Sequence, residues 1–88
     1  MNNKPEAVIV TIGCINENIF IDMELPVKLP VSKIKIKVLE VLKNVYKGIF
    51  SRWTNCNLIY ENHFLSDEEN LNTAGIYDGS YIYIVLEG

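Results

Sequence analysis

Few residues in this 88-residue chain have the chemistry to act on a substrate: one histidine, His63, two cysteines, Cys14 and Cys56, and the close carboxylates Asp22 and Glu24. His63 sits in the polar stretch Glu61-Asn62-His63, with no cysteine or second histidine at a metal-ligand spacing. It reads as a solvent-facing side chain. No Ser-His-Asp set can be assembled around it, and no glycine-rich phosphate loop is present. Asp22 and Glu24 fall on one side of an alternating segment, where they read as solubilising charges. An acid–base pair would need burial to move the two pKa values apart. Two cysteines are too few for a zinc cage or a disulfide scaffold, and they read as reduced and packed. The expectation is a chain that is not an enzyme and carries no metal or cofactor.

Composition narrows the class further. Eighty-eight residues make one domain. A chain of this size buries roughly 60–65% of its unfolded surface, so its core must be efficient. Hydrophobic residues make up 49% of it, mostly Ile, Val and Leu. The net charge of −3 gives no reason to expect nucleic acid, since an acidic balance repels phosphate backbones. No run of 18 apolar residues is present, so direct membrane insertion is not expected. Met1 to Glu6 is polar, contains Pro5 and does not read as a signal peptide. The expected organisation is a flexible tail over 1–6 and a single domain over 7–88, in the cytoplasm.

The elements that must position any site follow from periodicity. Ala7 to Cys14 alternates around Val8, Val10 and Ile12, a strand with one buried side. Gly13 and Ile15 to Asn18 supply a turn. Ile19 to Leu25 alternates again, with Ile19, Ile21, Met23 and Leu25 facing in and Phe20, Asp22 and Glu24 facing out. Pro26 and Pro30 end the strand, since neither can donate to a ladder. Ser32 is the expected helix N-cap, with Val31 stapled to Ile36. The helix should run to Lys47 and end at Gly48. Its buried stripe is predicted as Ile34, Val38, Val41, Leu42, Val45 and Ile49. Leu39, Tyr46 and Phe50 widen that stripe. Trp53 should close one end of the core from the loop over 51–57. Beyond it Leu58 and Tyr60 point in and Ile59 out. Leu71, Ala74 and Ile76 form a helical turn, and Asp78-Gly79 turns into a last strand. There Ile82, Ile84 and Leu86 face in and Tyr81, Tyr83 and Val85 face out.

That order of elements is the β-grasp arrangement, an α+β fold. It implies a mixed five-stranded sheet, order 2-1-5-3-4, packed on one helix. The last strand would then separate the two cysteines by about 9.6 Å, beyond disulfide reach. Two surfaces could bind a partner. On the outer sheet face Ile59, Tyr83 and Val85 should cluster with Tyr81, and exposed apolar patches with aromatic residues mark interaction sites. On the helix, Lys33, Lys37, Lys43 and Lys47, with Lys35 at the flank, form a basic face. That face could dock an acidic partner or be simply solvated.

The run LIYENHFLSDEENLNTAGIYDGSYIYIVL resembles the second half of ubiquitin without a gap. Asp22-Met23-Glu24-Leu25-Pro26, Pro30-Val31-Ser32 before an Ile/Leu helix, and Ala74-Gly75-Ile76 with Asp78-Gly79 are similar to the YukD/EsaB family. Those are small ubiquitin-like proteins of bacterial type VII (WXG) secretion systems, and a related domain opens the EccD membrane component. The resemblance spans about Val8 to Leu86. It implies a non-enzymatic, cytoplasmic accessory protein in a Gram-positive bacterium that docks on a membrane or ATPase component of the secretion machinery. The alternative is a ubiquitin-like modifier or sulfur carrier activated at Gly88. Conjugation needs a flexible tail ending in two glycines. Here Glu87-Gly88 extends at most about 7 Å past Leu86, which speaks against that alternative.

Overall fold

The computed structural model describes residues 6–87. Strand β1 (Ala7–Cys14) pairs antiparallel with β2 (Ile19–Pro26), the two joined by a 3-10 turn at Ile15–Glu17 and by Asn18 in a left-handed conformation. Helix α1 (Val31–Val45) follows, then β3 (Asn55–Tyr60), β4 (His63–Phe64) and β5 (Tyr81–Glu87). The sheet has the order β2-β1-β5-β3-β4, mixed because β5 lies parallel to β1 and antiparallel to β3. This is the expected α+β arrangement. The expected tail lies outside the described residues except for Glu6, whose carbonyl accepts a hydrogen bond from Val27 N–H (3.0 Å).

Strand alternation decides what is buried. Val8, Val10, Ile12, Met23, Leu25, Leu58, Ile82, Ile84 and Leu86 turn inward and meet Ile34, Val38 and Leu42 of the helix. In β5 the alternation is complete, each buried residue flanked by exposed ones. Tyr60 and His63 are joined by Glu61 and Asn62, both at positive φ (49° and 68°), as a two-residue hairpin requires. Between Asn70 and Ile76 the chain makes a helical turn, with Ala74 N–H donating to Asn70 and Ile76 N–H to Leu71.

The helix departs from expectation in three ways. Its N-cap is Pro30, not Ser32, and no side chain caps it. The first N–H groups instead reach main-chain carbonyls of a distant loop, Val31 to Glu69 (2.8 Å) and Ser32 to Asp67 (3.2 Å). Val31 is fully buried and Ile36 exposed, so they form no staple. The helix also stops at Val45, earlier than Lys47, and the stripe drifts with it. Val45 and Ile49 are exposed, while Leu39 and Phe50 are buried in their place. Phe50 reaches the core only because the chain turns after the helix, where Gly48 adopts φ +89°. Trp53 packs against the core beside it, with the Arg52 guanidinium 5.0 Å from its ring centroid.

The third departure is Lys35. Its side chain is only 12% exposed and leaves the basic face to bind Asp67 Oδ1 (2.7 Å) and Asn57 Oδ1 (3.0 Å). One ammonium therefore ties the helix to β3 and to the loop that caps it. Asp67 and Glu69, brought to the helix N-terminus, also complement its dipole where Lys33 and Lys35 oppose it. Lys35→Ala should cost about 1–2 kcal/mol, mostly from the lost bond to Asn57, because the Asp67 partner is largely solvated. A lowered urea midpoint with an unchanged slope is the expected result.

Candidate functional site

The outer sheet face carries the candidate site, and strand register sets its geometry. Gly13 of β1 stands opposite Phe20 on β2 and Tyr83 on β5. Tyr83 in turn stands opposite Ile59 on β3, and Ile59 opposite Phe64 on β4. One straight row therefore crosses all five strands: Phe20, Gly13, Tyr83, Ile59, Phe64. Every member but Gly13 is apolar or aromatic. The two edge rings are the most open, Phe20 at 53% and Phe64 at 66% exposed, with Tyr83 at 36% between them.

Gly13 belongs to this row and not to the turn. A Cβ there would stand 2.9 Å from Phe20 Cε1 and 2.9 Å from Tyr83 Cδ1. Both rings therefore lean over bare backbone and bury it, an aromatic covering of a strand glycine. The adjacent rows are more polar. Asp22, Thr11 and Tyr81 form one, in which the Thr11 hydroxyl donates to Asp22 Oδ1 (2.6 Å). Asn57 and Val85 form another, with Asn57 Nδ2 donating to Glu87 Oε2 (2.6 Å).

Of the residues expected here, Ile59 and Tyr83 come into direct cross-strand apposition. Val85 and Tyr81 flank Tyr83 along β5, one step to either side, next to polar neighbours. Phe20 and Phe64 were not in the expected cluster. Alternation already turned Phe20 outward, but only register places it in line with Tyr83. Phe64 required the position of a two-residue strand.

The groups with acid–base or nucleophilic chemistry are scattered. His63 is exposed on β4, beside a shallow hollow also lined by Tyr60, Glu61, Glu69 and Thr73. Among the described residues no three of His, Cys, Asp and Glu are grouped so as to hold a metal ion. Cys14 and Cys56 are free and fully buried, with β5 between them: Cys14 lies beside Ile84, and Cys56 beside Leu86. Burial pushes the Cys56 thiol up to about 11, with the nearby Lys35 charge pulling weakly the other way. Burial raises Cys14 also.

No protein-family model and no curated protein matches the chain. Solved structures do. The ubiquitin-like domain of the Mycobacterium tuberculosis type VII secretion protein EccD1 superposes with a TM-score of 0.71 at 21% identity, over 90% of this chain and 97% of that one. The EccD5 ubiquitin-like domain from Mycobacterium xenopi gives 0.76 at 18% identity, over 94% and 97%. A chain of the MycP5-free ESX-5 inner membrane complex gives 0.77 at 22% identity, over 96% of this chain but 22% of that one. The fold is the ubiquitin-like β-grasp. A ubiquitin-like domain of the Arabidopsis thaliana protein At2g32350 is also similar, at 0.69 and 24% identity over 99% and 84%, so the fold extends well beyond secretion proteins.

Two outcomes follow from the ubiquitin-like sheet. Gly13→Ala should swing the Phe20 and Tyr83 rings off the strand while changing stability by less than about 1 kcal/mol, because ring edges and not backbone crowd the new methyl. Shifted aromatic resonances of those two residues would report it, and unshifted ones would contradict the close approach. The thiols give a pH signature. A thiol at 9.0 in the unfolded chain and about 11 in Cys56 stabilises the fold fully below pH 9. That contribution, up to about 3 kcal/mol, is lost as pH rises through 11. Urea melts between neutrality and pH 11 should show the decline, and Cys56→Ala should flatten it.

Proposed function

We propose that this protein is a non-enzymatic, cytoplasmic ubiquitin-like accessory protein of a bacterial type VII secretion system, of the YukD/EsaB kind. It acts by docking its outer sheet face on a membrane or ATPase component of the machinery. The supporting observation is the likeness to the EccD1 and EccD5 domains over at least 90% of each chain, combined with the apolar row across the sheet. Tyr83 and Ile59 form the centre of that contact, Phe20 and Phe64 its ends, and Val85 and Tyr81 its flanks.

The size of the face sets the kind of contact. Five strands about 4.8 Å apart, with 31 residues between them, offer about 490 Å². A complex confined to that face buries about 1,000 Å² in total, below the range of stable interfaces. It would therefore be a reversible dock, strongest when other contacts hold the partner nearby. The polar rows beside the aromatic one give the arrangement of a hot spot, an apolar centre with a hydrated rim.

The deciding variant is Tyr83→Asp with Phe64→Ser. It avoids placing two aspartates directly opposite each other, as changing Tyr83 and Ile59 together would do. The double variant should melt like the parent protein yet fail to co-purify with the detergent-solubilised secretion complex. It should also fail to restore export of WXG-type substrates to a strain lacking the gene. Normal export without the gene would refute the reading, and so would isopeptides formed through Gly88, which would assign the protein to the modifiers.

A further inference from the structure

The net charge of −3 conceals a strong separation. Residues 28–52 hold seven of the eight lysines and arginines and one of the eleven acids, so this stretch carries +6 and the remainder −9. The stretch is the helix with its two flanking loops. Within it Lys35 is neutralised against Asp67. Lys33 and Lys37, one turn apart, stay exposed on the side opposite Ile34, Val38 and Leu42, which face the sheet. Lys47 and Arg52 are exposed beyond the helix end, and half-buried Lys43 borders the same side. Of these lysines, which lie on the far side of the molecule from the aromatic row, Lys33 opposes the helix dipole in the first turn, and among the described residues Lys33 and Lys37 form no ion pair in return.

We propose that this helix face rests on an anionic lipid bilayer. The complementarity is in charge, and three features favour lipid over an acidic polypeptide. The free cations on the helix face are lysines, flexible point charges without the planar fork that fits single carboxylates. Exposed Ile36 lies beside Lys33, and with Leu39, Glu40, Lys43 and Thr54 it lines a shallow hollow in which aliphatic carbon sits next to one ammonium and one carboxylate. Such a face presents aliphatic carbon and positive charge together, as surface-lying helices do at the headgroup boundary. The acids on the outer sheet face, Asp22, Glu24 and Glu87, would be repelled by the same surface, so the bilayer would select one orientation. The aromatic row would then point away from the lipid and remain open to a protein. No segment enters the hydrocarbon, and no helix among the described residues is long and apolar enough to cross it.

The test is co-sedimentation of the whole protein with phosphatidylcholine vesicles containing about one-third phosphatidylglycerol, beside pure phosphatidylcholine. Binding should appear only with the anionic vesicles and vanish by about 0.5 M salt. The triple variant Lys33→Gln, Lys37→Gln, Lys47→Gln should bind about a hundredfold more weakly, at about fivefold per lysine, with its helix content unchanged by circular dichroism. Glu40→Gln, which removes the only acid of the stretch, should bind about fivefold more tightly to the anionic vesicles and still not at all to pure phosphatidylcholine, which separates a charge effect from exposed apolar surface. Tyr83→Asp with Phe64→Ser should bind vesicles like the parent, so this inference and the sheet-face reading fail separately. The proposal is overturned if the anionic vesicles leave the protein in solution at low salt or bind the parent and triple variant alike. Capture by polyglutamate without capture by vesicles would also overturn it, and would give the face to an acidic polypeptide.

Discussion

The parallel pairing of β1 with β5 joins the two ends of the chain, and the rest of the molecule is arranged around it. A hydrogen-bonded clasp secures its start. Ile9 N–H donates to Asp78 Oδ1 (2.8 Å), Gly79 N–H to the Ile9 carbonyl (2.9 Å), and Thr11 N–H to the Ser80 carbonyl (2.9 Å). Gly79 can hold this turn because φ +89° costs it little. Once Thr11 stands beside Tyr81, Gly13 must stand beside Tyr83, since parallel strands advance together. A slip of one residue would turn the whole of β5 inside out, moving Tyr81, Tyr83 and Val85 into the core and Ile82, Ile84 and Leu86 into water. The hydrophobic alternation of β5 thus enforces the register, and the register aligns the aromatic row.

A second consequence is that the molecule has two unlike outer surfaces set back to back. The core occupies the space between sheet and helix, so whatever faces away from it must lie on one of two opposite sides. Among the described residues nothing covers the sheet side, and the apolar row crosses strands whose other outward residues include Thr11, Asp22, Asn57 and Glu87 along with Ile9, Tyr81 and Val85. On the helix side the outward residues are Lys33, Ile36, Lys37, Glu40, Asn44 and Val45, with Lys47 just beyond the helix end. A five-stranded sheet with one helix leaves this division unavoidable, because a single helix covers one face only. The interior between those surfaces holds mainly aliphatic side chains, with Phe50, Met23 and the two buried thiols.

The strands were legible in the sequence because a half-buried strand writes its burial as a period of two, and β1, β2 and β5 all do so. The helix was less legible at its ends. Its stripe is broad, and a 3.6-residue period allows the buried arc to begin or end a position early. Nothing local distinguishes Leu39 from Val45 as the residue that packs. The cap was invisible for a different reason: it comes from the carbonyls of Asp67 and Glu69, more than thirty residues away. Lys35 belongs to the same class, a charge that looks solvated until a distant acid and amide are folded against it. Gly13 read as a turn residue because glycine usually marks one. Its role came instead from two rings on neighbouring strands, a property of register that no short window contains.

The same distinction explains why the candidate site was half visible. That Tyr83 and Ile59 face outward follows from alternation, a local property, and their adjacency follows from strand order. That Phe20 and Phe64 complete the row depends on hairpin geometry at both sheet edges. At one edge the 3-10 turn and Asn18 set Phe20 opposite Gly13. At the other, Glu61 and Asn62, each in a left-handed conformation, set Phe64 opposite Ile59. Both turns demand backbone states that cost a residue with a side chain about 1–2 kcal/mol, least for asparagine. Glu61 meets that demand without the advantage asparagine has. A longer, looser loop there would relieve the strain but would release β4 and with it Phe64. The strain at Glu61 and the position of Phe64 are therefore linked, which ties the outer end of the apolar row to a two-residue hairpin turn.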